Sequence, residues 1–220
     1  MKLQETQENK EKSIFLQNHS ASIRIWHWLT FIIISFLIIT VLFNSTMFDT
    51  RSNTAMVKNV LNGKNIVVSD DQARAVAHEY GDKLWNLHKY LGFALTFLFL
   101  SRIVIEITLS EEEKMSVKIK NALLMYRQNI RRSESKHFLI VKYSYTLFYL
   151  LIIVMATTGL LLAFEFELGI PRQTNHLIKE VHGFCQYLMY AFISVHLYGA
   201  INADMKDSKG IISGMVNGGE

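Results

Sequence analysis

Four runs of apolar residues, each long enough to cross a lipid bilayer, dominate this chain of 220 residues and limit what it can fold into. They lie near Ile25–Asn44, Leu84–Leu109, Phe138–Phe164 and Val181–Ala203. In hydrocarbon every backbone N–H and C=O must find its partner inside the structure, and segments of this length do so as helices. Consecutive spans alternate in direction, so the expected fold is an all-α membrane protein, a four-helix transmembrane bundle made by one domain, 1–220. The composition agrees: half the residues are hydrophobic and Pro occurs once, which suits helices in lipid better than a soluble α/β domain.

Basic residues beside the spans set the expected orientation. The connection from Ser110 to His137 carries Lys114, Lys118, Lys120, Arg127, Arg131, Arg132 and Lys136. The amino-terminal tail adds Lys2, Lys10, Lys12 and Arg24, and the carboxy-terminal tail adds Lys206 and Lys209. Loop Ser45–Lys83 balances its bases with acids, and Glu165–Glu180 has only Arg172 and Lys179. Both termini and the middle loop are therefore expected in the cytoplasm. The net charge of +4 has this membrane explanation, with lipid as its partner and no nucleic acid. The first apolar run follows a polar segment and lacks a small-x-small cleavage pattern, which reads as a retained anchor.

The connections carry some structure of their own. Ser69-Asp70-Asp71 reads as a helix start leading into Gln72–Tyr80, ended or bent at Gly81. An earlier short helix is expected from Thr54 to Leu61, closed by Asn62-Gly63. This outer loop could cover a cofactor or present a surface to a partner. In the middle loop, Met115, Ile119, Leu123, Leu124 and Tyr126 among the bases suggest an amphipathic helix lying on anionic lipid.

The chemistry is carried by histidine. His182 and His196 stand fourteen positions apart in the fourth run, almost four helical turns, so both imidazoles leave one helix face about 21 Å apart along its axis. That separation approaches the thickness of the hydrocarbon layer. Ionisable side chains in a membrane helix are costly and mark function. His27 and His88 begin other spans at matching depths: His88 and His182 toward the outer surface, His27 and His196 toward the inner. Four histidines at two depths are a ligand set for two bis-imidazole haems, paired His88/His182 and His27/His196. Two axial imidazoles leave iron no open position, which favours electron transfer over oxygen chemistry. Helix capping at the interface is the bland alternative for any one of them. Zinc is another, but two depths divide the ligands into pairs, too few for a closed tetrahedral site. His19, His78, His137 and His176 fall in tails or loops and read as solvated. Cys185 is the one cysteine, so no internal disulfide forms, and the Cys-x-x-Cys-His signature of covalent haem attachment is absent.

Gly92, Gly159, Gly183 and Gly199 would let a flat macrocycle approach the backbone, although small residues also serve ordinary helix packing in membranes. Arg102 repeats the phase of His88 fourteen positions on and needs a partner: a haem propionate, a quinone carbonyl, or water reached by snorkelling. Arg24, one turn before His27, is a similar candidate.

These residues resemble the bacterial four-helix di-haem b cytochromes, the group of cytochrome b561 and the b-type subunit of nickel–iron hydrogenases. The resemblance spans nearly all four helices and rests on Arg24-Ile25-Trp26-His27-Trp28-Leu29-Thr30, His88 with Gly92 and Arg102, Thr158-Gly159, and the His182/His196 pair. The stretch around Asp204 and Ile211-Ile212-Ser213-Gly214-Met215-Val216-Asn217-Gly218 looks like the hydrogenase branch. It implies a multi-pass protein of the bacterial inner membrane with two haems b. Such a protein relays electrons between a periplasmic redox enzyme, hydrogenase-like with an iron–sulfur subunit, and the membrane quinone pool. Quinone is then substrate or bound acceptor, and a second copy of the chain is a further expected partner. The alternatives are the cytochrome b subunit of another dehydrogenase, reductase or multihaem cytochrome system, and a stand-alone quinone oxidoreductase acting on superoxide. Whether the chain is itself an enzyme or only an electron-transfer subunit stays open at this point.

Overall fold

The computed structural model describes residues 20–111, 114–130, 132–205 and 210–218. Lys2, Lys10, Lys12, His19, Arg131, Lys206 and Lys209, named above, lie outside the described residues. Seven helices are described: α1 (Ala21–Ser45), α2 (Thr50–Asn62), α3 (Asp70–Thr108), α4 (Met115–Arg127), α5 (Arg132–Ala163), α6 (Arg172–Met205) and α7 (Ile211–Val216). No strand occurs among the described residues. Helices α1, α3, α5 and α6 are long and apolar enough to cross a membrane, and each covers one of the four apolar runs to within one residue at its end. Many of their large side chains are exposed, including Phe97, Ile107, Val195 and Tyr198. Such a surface suits lipid, where burying apolar groups against protein gains little.

The chain forms two compact units. One comprises the described residues of Met1–Trp28 and Phe99–Glu220, and the other is Leu29–Leu98.

In the smaller unit, Asp49 starts α2 by accepting the amide of Ser52 at 2.9 Å, while Gly63 follows its end. Ser69 and Gln72 open α3 with a reciprocal capping box: Ser69 N–H donates to Gln72 Oε1 at 2.9 Å, and Gln72 N–H to Ser69 Oγ at 3.2 Å. Lys58 pairs with Asp70 and ties α2 to this start. The helix does not end at Gly81; α3 is continuous over 39 residues. Gly81 instead serves packing, since a Cβ there would lie 3.4 Å from the Asn44 side chain and 4.0 Å from the Phe48 carbonyl.

In the larger unit, α4 and α5 form a hairpin whose turn places Asn129 at φ 56°. Ala122, Phe138 and Leu139 are its buried centre, with Ile119, Leu123 and Tyr126 packed around them. Ile119, Leu123 and Tyr126 of α4 thus pack on α5, which offers Phe138 and Leu139 at the same level, while Leu124 stays exposed. Pro171 stands immediately before α6, where its missing N–H breaks no helical bond.

Candidate functional site

The larger unit brings His27 and His196 together. His27 lies near the start of α1 and His196 in the last third of α6, and their ring centroids are 6.3 Å apart with planes inclined at 57°. A bond from a first-row metal to an imidazole nitrogen is about 2 Å long and the ring centre lies about 1 Å behind that nitrogen, so two imidazoles on opposite sides of one iron have centroids about 6 Å apart. The observed spacing fits that arrangement. His196 is set by an aromatic stack: Phe192 lies parallel to it at 6.0 Å and 6°, and Phe148 stacks on Phe192 at 4.9 Å. Trp28 meets His27 edge-on at 5.4 Å. The Nδ1 of His27 is buried and has no hydrogen-bond partner among the described residues.

His182 is held differently. Its Nδ1 lies 2.7 Å from the Thr158 hydroxyl, which donates to the Val154 carbonyl at 2.6 Å. A Cβ on Gly159 would come within 3.4 Å of His182 Cε1. What this glycine accommodates is the imidazole itself.

In the smaller unit, His88 repeats the pattern. Its Nδ1 lies 2.8 Å from the hydroxyl of Thr40, a buried residue that donates to the Leu37 carbonyl at 2.7 Å. Trp85 meets the ring edge-on at 5.3 Å. A Cβ on Gly92, Gly183 or Gly199 would meet nothing within 4 Å. Thr40 escaped the reading of the sequence, and Thr158 entered it only beside Gly159. The signal available was a hydroxyl residue inside an otherwise apolar span.

Arg102, 8% exposed, does not snorkel. Its Nη2 donates to Glu106 Oε2 at 2.8 Å and its Nε to the Tyr149 hydroxyl at 3.2 Å. The guanidinium also lies over the rings of Trp26 and Tyr149, at 5.8 and 5.9 Å. Only Nη1 is buried without a partner among the described residues. Glu106 turns its other oxygen to the Met115 amide at 2.6 Å, starting α4 where Lys114 gives no side-chain cap.

Arg24 packs against the other end of the chain. A Cβ on Gly218 would fall on the Arg24 guanidinium, and Trp28 Nε1 donates to the Met215 carbonyl at 3.0 Å. Asp204 accepts the amides of Gly210 at 3.0 Å and Ile212 at 3.2 Å, which fixes the start of α7. The two terminal motifs singled out in the sequence therefore touch.

The remaining histidines that can be described stand apart from these rings. His78 faces Asp82 at 3.8 Å and His176 faces Glu180 at 3.4 Å, both exposed. Among the described residues no group of three or more His, Cys, Asp or Glu is placed to hold a metal ion. Cys185 is a buried free thiol.

A family model described as prokaryotic cytochrome b561 matches residues 18–218. No curated protein and no solved structure matches the chain.

Proposed function

Because this chain belongs to the prokaryotic cytochrome b561 family, whose members are membrane helical bundles, we propose that it carries two haems b and relays electrons between a periplasmic redox enzyme and the quinone pool. Membership alone makes it a multi-pass membrane protein and a b-type cytochrome of electron transfer. The rest is our reading, and the His27–His196 spacing of 6.3 Å carries it.

In this reading His27 and His196 hold the inner haem and His88 and His182 the outer one. Support for the second pair is the common environment of its members, each with Nδ1 beside a threonine hydroxyl that is itself bonded to a carbonyl. Haem iron with two axial imidazoles supplies one-electron chemistry and no open coordination position. The protein's part is to fix ring orientation, set the potentials through charge and burial, and keep water out. Arg102 would offer its remaining Nη1 to a propionate or a quinone carbonyl, and Arg24 would do the same with its own buried Nη1. Gly92, where a Cβ would meet nothing within 4 Å, would give a macrocycle close approach to the backbone. The basic middle loop and tails support both termini in the cytoplasm of a bacterial inner membrane, and the resemblance implies that quinone is reduced near that face. A hydrogenase-type partner with an iron–sulfur subunit is read from the carboxy-terminal stretch around Asp204 and Ile211–Gly218, which resembles that branch.

The test is a reduced-minus-oxidised spectrum of the purified chain with haem counted by the pyridine method. Two low-spin b haems per chain are expected. His182→Ala is expected to remove one and leave the other. One haem in the wild type, or loss of both in the variant, would overturn the pairing.

A further inference from the structure

We infer that Thr40 and Thr158 are positioning residues that fix His88 and His182 as Nδ1–H tautomers and so present Nε2 to the iron; the inference rests on the ligand assignment proposed above. The argument is a proton count. A threonine hydroxyl has one hydrogen to donate and lone pairs with which to accept. In a helix that hydrogen goes to a carbonyl one turn back. Thr40 follows the rule, with its Oγ1 2.7 Å from the Leu37 carbonyl. Thr158 does the same at 2.6 Å from Val154 and 3.2 Å from Met155. At the imidazole each hydroxyl is then left only as an acceptor. The nitrogen facing it, 2.8 Å away for His88 and 2.7 Å for His182, must be the one that carries the proton. A neutral imidazole protonated on Nδ1 has its lone pair on Nε2.

The two sites are built alike from unlike surroundings. Thr40 reaches His88 from α1 to α3, within the smaller unit. Thr158 reaches His182 from α5 to α6, within the larger. Gly159, next to Thr158, faces the same ring: a Cβ there would lie in ordinary contact, 3.4 Å from Cε1 and 3.9 Å from Nδ1. His27 lacks the device: its Nδ1 is buried with no partner among the described residues, and rings rather than hydroxyls flank it. The chain thus distinguishes its two ligand pairs chemically. A donor bond from Nδ1 makes the imidazole more basic and favours ferric iron. Both ligands of the outer haem share that bias, so the hydroxyls lower its potential relative to a pair without them.

The experiment uses the full-length chain purified from membranes as Thr40→Val, Thr158→Val, Thr40→Ser and Thr158→Ser. Haem per chain, the midpoint potential of each haem and the low-spin electron paramagnetic resonance g values are measured. Each valine variant is expected to raise the potential and shift the g values of one and the same haem, leaving the other at its wild-type values. Both serine variants are expected to match the wild type. Loss of that one haem in a valine variant, with retention in the serine variant, supports the inference equally, because only the hydroxyl separates them. Unchanged potentials and g values at full haem content would overturn it. So would equal damage by serine and valine, which would make the threonine methyl the important group. His88→Ala and His182→Ala, each keeping both haems, would instead remove the ligand assignment beneath it.

Discussion

His27 and His196 face one another at 6.3 Å between ring centroids although they stand 169 positions apart in sequence. Phe192 and Phe148 fix one ring by stacking, and Trp28 meets the other edge-on. His196→Ala is therefore expected to take haem content from two per chain to one, with the survivor still low-spin. The pyridine haemochrome count checks this. Two haems in the variant would remove this pair from the ligand set.

The approach of Gly159 to His182 gives a graded test. A Cβ 3.4 Å from Cε1 is ordinary contact, so Gly159→Ala should keep both haems. Gly159→Leu should push the imidazole off Thr158 and lose the outer haem, because a close-packed interior cannot absorb so large a group without strain of about 1–3 kcal/mol. Spectra of the two variants, recorded side by side, decide it.

Arg102 and Glu106 form a pair whose side chains are 10% and 30% exposed, at 2.8 Å. Removing one partner leaves a charge poorly compensated, at a cost of about 1–3 kcal/mol once the partial exposure of Glu106 is allowed for. Glu106→Leu should thus melt earlier in detergent than Arg102→Met/Glu106→Leu, in which both charges are gone. Equal melting of the single and double variants would show that the pair is not coupled.

How much of this was legible beforehand depends on how local each feature is. The four spanning helices follow from apolar length alone, and the capping box at Ser69 and Gln72 follows from residue types three positions apart. Gly81 misled because its role is contact with Asn44 and Phe48, which sequence spacing cannot report. The packing of α4 on Phe138 was hidden for the same reason: the apolar residues of an amphipathic helix do not say which neighbour covers them. Arg102 could be marked as needing a partner, but Tyr149 is 47 positions away and Glu106 one turn away, so only the structure shows that the chain supplies most of that partner itself. Thr40 hid among apolar neighbours because a hydroxyl bonded to its own helix costs little in lipid.

Asp49 provides a pH dependence outside the spans. The backbone amide of Ser52, and then its hydroxyl, hold the carboxyl below its ordinary value of 3.8. A carboxyl whose folded value is depressed stabilises the fold when ionised. That contribution is complete above 3.8 and is lost as pH falls through the lower folded value. Protection factors of the first-turn amides of α2, corrected for the intrinsic pH dependence of exchange, should accordingly fall as the pH drops below the ordinary carboxylate range. Asp49→Asn should flatten that dependence while keeping most of the cap. The same pH dependence in the variant would assign the effect to another group.

The contact of Gly218 with Arg24 links the carboxy-terminal motif to the helix that carries His27, a proposed haem ligand. Gly218 has φ 95°, which side chains rarely adopt, and a Cβ there would also fall on the guanidinium. Gly218→Val is strained on both counts and should lift the last residues off α1, breaking the bond from Trp28 Nε1 to Met215. Trp28 follows His27 directly, so the first consequence should appear at the haem held by His27 and His196. On heating in detergent, the variant should release that haem at a lower temperature while the other stays at its wild-type value. Asp204→Ala, which frees the amides of Gly210 and Ile212, should act in the same direction and more weakly, in line with the loss of about 1 kcal/mol for a helix cap. If both variants release their haems as the wild type does, the terminal contact has no hold on the inner site.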